Sequence, residues 1–217
     1  MKLGTRLSGV LLIGLLCAAG FGLVAYLVGA DRVKSFDDIF IHFFQGMESP
    51  GLTRVMVALG FIGSTKPVIM IAVAAMLLMG VILHHRKELI LFVFATGGSA
   101  LLNMVLKAAF LRERPTIYRI VEETGYSFPS GHTMGAFSLY GILTYLLWKH
   151  IPVLWGRIAL ITASVALIIM MGISRIYLGV HYPSDIVGGL LASGCWLAAG
   201  IWVYRSYTRT KPYEYSR

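Results

Sequence analysis

The chain has 217 residues, 57% of them hydrophobic and 13% charged, with a mean hydropathy of +0.76. A soluble domain carries roughly 25% charge, so this composition argues against a water-soluble globule and for an integral membrane protein. The formal charge of +9 fits Lys and Arg gathered on the cytoplasmic side of a membrane protein better than it fits a nucleic-acid surface.

Residues 7–30 hold no charge, long enough to cross a hydrocarbon core of about 30 Å. Lys2 and Arg6 ahead of this run, and Val28-Gly29-Ala30 at its end, resemble a signal peptide. The run outlasts the roughly 7–15 apolar residues of a signal core, so a retained span is expected. Segment 31–66 contains an amphipathic piece. Phe36, Ile39, Phe40, Phe43, Phe44 and Met47 recur at helical spacing, opposite Asp37, Asp38, His42 and Gln45. It reads as a helix lying in the membrane interface, or alternatively one packed on the protein. Further apolar runs follow at 67–83, 89–106, 132–148, 158–173 and 186–204. The last is rich in Gly, Ala and Ser, which suits close helix packing in lipid. The expected architecture is therefore all-α, with six transmembrane helices and an interfacial helix after the first. No internal repeat or low-complexity linker interrupts it, so residues 1–217 read as one domain. Cys17 and Cys195 each lie inside an apolar run, without CxxC or metal-ligand spacing, and read as packing residues.

Charge orients the spans. With the N-terminus inside, the cytoplasmic segments hold ten Lys/Arg and two acids, the outer segments nine Lys/Arg and eight acids. The Lys/Arg counts nearly balance, so the orientation depends on whether some outer cations have another task. Three do. Lys107 and Arg114-Pro115, then Pro129-Ser130-Gly131-His132, then Ser174-Arg175 with His181 and Asp185, all fall at span ends on the outer side. Ionisable residues at membrane depth are costly, and function is their default reading. Lys107, Arg114 and Arg175 around one spot would repel unless an anion neutralised them, and arginine matches phosphate in bidentate fashion. Ser130-Gly131-His132 opens a helix, whose free N–H groups and dipole also favour an anion, and Gly131 permits close backbone approach. His181 and Asp185 are four residues apart, one helical turn, as a nucleophile and its orienting carboxylate would be. His132 is then placed as the general acid. Each residue alone has an ordinary explanation: Ser130 as a helix cap, His132 as an interfacial histidine, Asp185 as a dipole partner, Arg114 as a snorkelling side chain. Their joint occurrence at three adjoining helix ends argues otherwise.

These residues resemble the three-part signature of the type-2 phosphatidic acid phosphatases, membrane relatives of bacterial acid phosphatases and vanadium haloperoxidases. The signature is Lys, six residues, Arg-Pro; Pro-Ser-Gly-His; and Ser-Arg, five residues, His, three residues, Asp. It stands here without departure as Lys107 to Pro115, Pro129 to His132 and Ser174 to Asp185. The resemblance implies a metal-independent phosphatase without cofactor. His181 becomes a phosphohistidine, activated by Asp185, with His132 as acid and then as base for the attacking water. Lys107, Arg114, Ser130, Gly131 and Arg175 carry over as the phosphate cradle, and vanadate, phosphate or tungstate would be expected to bind it.

A site at the outer face, near the headgroups, favours a lipid phosphate entering sideways from the bilayer of the cell membrane. The resemblance to small bacterial members implies conversion of phosphatidylglycerophosphate to phosphatidylglycerol, with undecaprenyl diphosphate as the alternative. Segment 116–128, with Tyr118, Arg119, Glu122, Glu123 and Tyr126, overhangs the site and either selects headgroups or is passive. A non-catalytic anion or lipid transporter would use the same cations. No inverted repeat or broken helix is visible to favour it.

Overall fold

A computed structural model of the chain describes residues 3–82, 86–116 and 118–210. Eight α-helices account for most of it, with no strand among the described residues: α1 (Leu3–Gly29), α2 (Lys34–Gln45), α3 (Pro50–Ile62), α4 (Thr65–Leu77), α5 (Arg86–Phe110), α6 (Gly131–Leu147), α7 (Leu154–Tyr177) and α8 (Pro183–Thr210). A π-helical turn, Leu78–Ile82, continues α4, and a short 3-10 turn follows α6. The far end of the 67–83 run and both extreme termini lie outside the described residues.

Four helices, α1, α5, α7 and α8, are long and apolar enough to cross a membrane, and α3 with α4 makes a fifth candidate if the pair counts as one span. The six-helix expectation is thus met only in part. α6, with 17 residues, is shorter than each of those four. The pair itself bends by 52°, a broken helix that the sequence reading did not see. The break falls at Gly63-Ser64, where the Gly63 N–H closes α3 on the Leu59 carbonyl and Ser64, in extended backbone, opens α4.

The apolar runs mark α5 and α7 correctly but stop short of their ends, because each helix continues past the hydrophobic stretch into a charged last turn. Lys107 closes α5 and Arg175 closes α7. Helix geometry makes this possible. Each extra turn adds about 5.4 Å of rise and puts the cation beyond the apolar band without breaking the backbone hydrogen bonds that lipid cannot replace.

α6 lies at the centre, packed against α4, α5, α7 and α8. Its Leu139 and Ile142 sit in a core with Phe92, Ala95, Leu91 and Leu197, and its Ala136 packs on Ile168 and Met171. Water-driven burial supplies little between helices in lipid, so close approach and interhelical polar contacts must hold the bundle. Both are present. α1 packs along α8 through small residues, Gly14 on Ala198, Gly20 on Leu191 and Cys17 on Gly194. Thr144 of α6 meets Ser164 of α7 at 2.7 Å. Trp196 of α8 lies across Gly98 of α5, stacks on Phe94 at 4.6 Å and donates its indole N–H to the Phe94 carbonyl at 3.0 Å.

α2 runs against α7 and α8 with its amphipathic faces reversed relative to a soluble helix. Phe36, Ile39 and Phe43 point away from the protein, while Asp37 is buried. The helix does pack on the protein, as the second reading has it, but through its polar side and not its apolar one.

A side chain at Gly98 would overlap the Trp196 indole. Gly98→Val is expected to separate α5 from α8 and to destabilise the fold by roughly 1–3 kcal/mol, as overpacking does. A thermal unfolding midpoint in detergent equal to that of the wild type would refute this.

Candidate active site

The ends of α5 and α7 and the starts of α6 and α8 meet at one end of the bundle. The chain leaves α5 at Leu111, in left-handed backbone at φ 51°. From there to Ser130 the described residues form no helix or strand, and the Ser130 hydroxyl caps α6 by accepting from the Thr133 N–H at 3.4 Å and from the Thr133 hydroxyl at 3.1 Å. Phe128 anchors this segment. It is fully buried, edge-on to Phe110 at 4.9 Å and stacked on Phe21 at 5.9 Å, and it fills the space that Gly188 leaves open. The Ser127 N–H and hydroxyl bond back to the Arg112 carbonyl, so the first and second motifs are tied before either reaches the third.

His181 and Asp185 bracket the start of α8. Asp185 Oδ2 lies 3.1 Å from His181 Nδ1 and accepts the Tyr182 N–H at 2.9 Å. On its other side, His181 Nε2 is 3.2 Å from an Arg114 guanidinium nitrogen. A guanidinium can only donate, so Nε2 is the acceptor and the ring proton is assigned to Nδ1, facing Asp185. The Nε2 lone pair is therefore turned away from the carboxylate, as a nucleophile requires. Burial holds the imidazole below its ordinary pKa; Asp185 opposes this, and Arg114 adds to it.

Arg114 is buried and held from several directions. Its guanidinium donates to the carbonyls of Gly125 at 3.0 Å and Val180 at 2.9 Å, and pairs with Glu123 at 2.7 Å. Arg175, also buried, pairs with the other oxygen of the same Glu123 carboxylate. Arg175 gains its position from Gly60 of α3: a Cβ there would stand 2.5 Å from the guanidinium. His132, on the first turn of α6, brings Nε2 to 3.6 Å from Glu123, and His181 Nε2 lies 3.9 Å from it. Glu123 thus sits at the convergence of two guanidiniums and two imidazoles. Burial alone would raise its carboxyl pKa, but Arg175, His132, His181 and Arg114 outweigh burial and hold it below the usual carboxylate range.

The Glu123, His132 and His181 ligand atoms lie within 4.8 Å of one another, a spacing that suits a metal ion. Charge argues against one. Both carboxylate oxygens already face guanidiniums, and a divalent cation would have to sit beside both. The same charges suit a tetrahedral oxyanion.

Of the residues singled out in the sequence, Lys107, Arg114, Gly131, His132 and His181 line one cavity of about 710 Å³. Lys107 Nζ donates to the Tyr126 carbonyl at 2.7 Å. Arg175 and Asp185 stand just behind the wall, Arg175 reaching it through Glu123 and Asp185 through His181. Ser130 is fully buried, with its oxygen on the helix cap. Sequence reasoning missed Gly60, which carries no signal of its own, and Asn103. Asn103 donates to the Pro129 carbonyl at 3.0 Å and lies against Gly131. As an amide inside an apolar span, Asn103 was detectable by the same rule that found the charged residues.

Residues 88–209 match the family model of the PAP2 superfamily. The chain belongs to the PAP2 superfamily. This PAP2 chain is 35% identical over 178 residues to the phosphatidylglycerophosphatase B of Bacillus subtilis, covering 78% of this chain and 83% of that one. Among solved structures it is similar to a transmembrane PAP2-type phosphatidylglycerolphosphate phosphatase from Bacillus subtilis, with a TM-score of 0.75, 28% identity and coverage of 94% and 98%. It is 33% identical to the Escherichia coli protein named putative undecaprenyl-diphosphatase YbjG, over 54% of this chain and 59% of that one. With its apolar helices, this PAP2 protein is a multi-pass membrane protein.

If Glu123 holds the place of an anion, removing its charge should open that place. Glu123→Gln is expected to tighten inhibition by orthophosphate about tenfold, about 1.4 kcal/mol, measured as the product-inhibition constant. A constant unchanged from wild type would show that the carboxylate and phosphate do not compete.

Proposed function

We propose that this PAP2 protein is a lipid phosphate phosphatase that works through a phosphohistidine at His181. The observation that carries the reading is the directed His181 ring: Nδ1 is held by Asp185, and Nε2 faces a carboxylate-filled seat between Arg114 and Arg175. A substrate phosphate takes that seat after displacing Glu123. Nε2 attacks phosphorus in line, the phosphorus–oxygen bond to the lipid breaks, and His132 protonates the departing oxygen. Arg114, Arg175, Lys107 and the Gly131 N–H balance the charge on the equatorial oxygens, with Ser130 setting the helix start that presents them. The Nδ1 proton stays with the ring, and Asp185 offsets the positive charge that forms there. Water then attacks the phosphohistidine with His132 as base, releasing phosphate and restoring neutral His181. Vanadate and tungstate, which resemble the phosphoryl group in shape and charge, are expected in the same seat.

The cavity supports a lipid. From the charged mouth it continues along Val68, Ile69, Ala72, Val73 and Met76 of α4 and Ala100 and Met104 of α5. A soluble ester gains nothing from such a wall, whereas an acyl chain can lie on it while its phosphate reaches His181. Phosphatidylglycerophosphate is the substrate that the similarity to phosphatidylglycerophosphatase B favours. Undecaprenyl diphosphate is the second reading, favoured by the similarity to the E. coli protein. α6, at 17 residues, is at the lower end of the roughly 17–25 residues that cross a bilayer, and we take it as the sixth span. Six spans put both termini on one side, assigned to the cytoplasm, and the site outside. α2 then lies in the outer interface with Phe36, Ile39 and Phe43 toward lipid.

Phosphate release by the purified protein in detergent, with EDTA present, tests this reading. Turnover is expected to persist without metal and to fall at least about 10³-fold in His181→Ala, the size of losing a nucleophile. Faster release from phosphatidylglycerophosphate than from undecaprenyl diphosphate supports the first substrate, and the reverse supports the second. Substantial turnover by His181→Ala would remove the phosphohistidine.

A further inference from the structure

We propose that Asp37 and Arg112 are positioning residues for the reaction, forming a clasp that reaches from the interfacial helix α2 to the carboxylate behind His181. The inference rests on the reading of His181 as nucleophile and Asp185 as its orienter.

Arg112 stands between two buried carboxylates. One guanidinium nitrogen donates to Asp185 Oδ1 at 2.7 Å and to the Ser184 hydroxyl at 2.8 Å, and the other donates to Asp37 Oδ2 at 2.8 Å. The guanidinium lies over the Tyr182 ring, 4.0 Å from its centroid. Asp37 closes the circuit: it accepts the Ser184 N–H at 2.8 Å and the Ser184 hydroxyl at 2.7 Å. Asp37 is 1% exposed and Asp185 0%, so water does not complete their hydrogen bonding.

The division of labour on Asp185 is specific. Oδ2 serves His181 Nδ1 and the Tyr182 N–H, while Oδ1 is held by Arg112. Without Arg112 the carboxylate could turn about its Cβ–Cγ bond and lose the line to Nδ1. Charge sets the role of Asp37. Arg112 alone with Asp185 would form a neutral pair, and a neutral pair does little to stabilise the imidazolium formed at His181. A second carboxylate on the same guanidinium returns the group to a net charge of −1, so His181 still faces a negative partner. The planar fork of arginine bridges two carboxylates in a way that an ammonium cannot. None of these atoms touches the cavity wall that would receive phosphate, which is lined by Lys107, Arg114, Gly131 and the two histidines. The clasp should therefore affect the chemical step and leave anion binding alone.

The test uses the full chain purified in detergent, comparing Asp37→Asn, Arg112→Ala, Arg112→Lys and His181→Ala. Each is measured for kcat and KM on the lipid phosphate, for the inhibition constant of orthovanadate, and for acid-labile phosphoenzyme after rapid quench. Asp37→Asn, which keeps the shape and one acceptor for Ser184, is expected to lower kcat about tenfold. Arg112→Ala is expected to lower it about 100-fold, with partial recovery in Arg112→Lys. KM and the vanadate constant should stay within about twofold of wild type in all three, and phosphoenzyme formation should slow in step with kcat. Wild-type kcat in Asp37→Asn and Arg112→Lys would overturn the proposal. So would a rise in KM and a loss of vanadate affinity as large as the fall in kcat, or a failure of all three clasp variants to yield monodisperse protein, since either outcome makes the clasp purely structural. His181→Ala separates the two claims: retained turnover there removes the nucleophile reading itself, whatever the clasp variants do.

Discussion

Positive charge gathered at one end of an apolar bundle is the constraint around which the rest of this molecule is arranged. Arg114 and Arg175 are both buried, within reach of one carboxylate. Two guanidiniums in a low-dielectric setting repel strongly unless an anion lies between them, and burying any charge without a partner costs several kcal/mol. Glu123 supplies the anion in the structure described here, and in the proposed reaction a phosphate does. The fold around them consists of what is needed to keep two cations close. Gly60 makes room for one, backbone carbonyls from 125 and 180 hold the other, and Phe128 fixes the loop that carries Glu123.

The same constraint explains why the helices end where they do. A cation is costly within the hydrocarbon, yet it must be held rigidly to keep its place beside an anion. Placing Lys107 and Arg175 on the last turns of α5 and α7 meets both demands, because the backbone remains helical while the side chain clears the apolar band. The second carboxylate system has an analogous solution. Asp185 is fully buried, and Arg112 joins it to the equally buried Asp37 of α2. The bent α3–α4 pair belongs to this arrangement as well. A straight helix through Gly63-Ser64 could not both offer Gly60 to Arg175 and line the cavity from α4 with Val68 and Ala72.

How much of this was legible in the sequence follows from the physics of each feature. Apolar runs located α1, α5, α7 and α8, since in lipid, composition alone signals a span. They could not find α3, which has 13 residues with Pro50, Gly51, Arg54 and Gly60 among them and does not reach span length by itself. The catalytic candidates were legible because their spacing within each motif is local: His181 and Asp185 are one helical turn apart, and Ser130 is a cap before a helix. Glu123 was visible as part of an overhanging loop. Its seat between Arg114 and Arg175 was not, since that depends on chain paths 52 residues apart in sequence. Arg112 lies outside the three motifs, and in the sequence it is no more than one of the nine outer Lys/Arg.

Asp37 is the clearest case of a correct pattern that left its surroundings open. The hydrophobic periodicity of α2 was sound, but periodicity says which residues share a face and not which face meets the protein. In water, the apolar side of such a helix turns inward. Beside a bilayer, lipid can receive that side, and the polar side is free to face a protein that has charges to satisfy. Arg112 and Ser184 are those partners here. The polar stripe of a helix flanking a membrane site is therefore a place to look for contacts to catalytic residues, and an acid within it that is 1% exposed is better read as bound to the protein than as solvated.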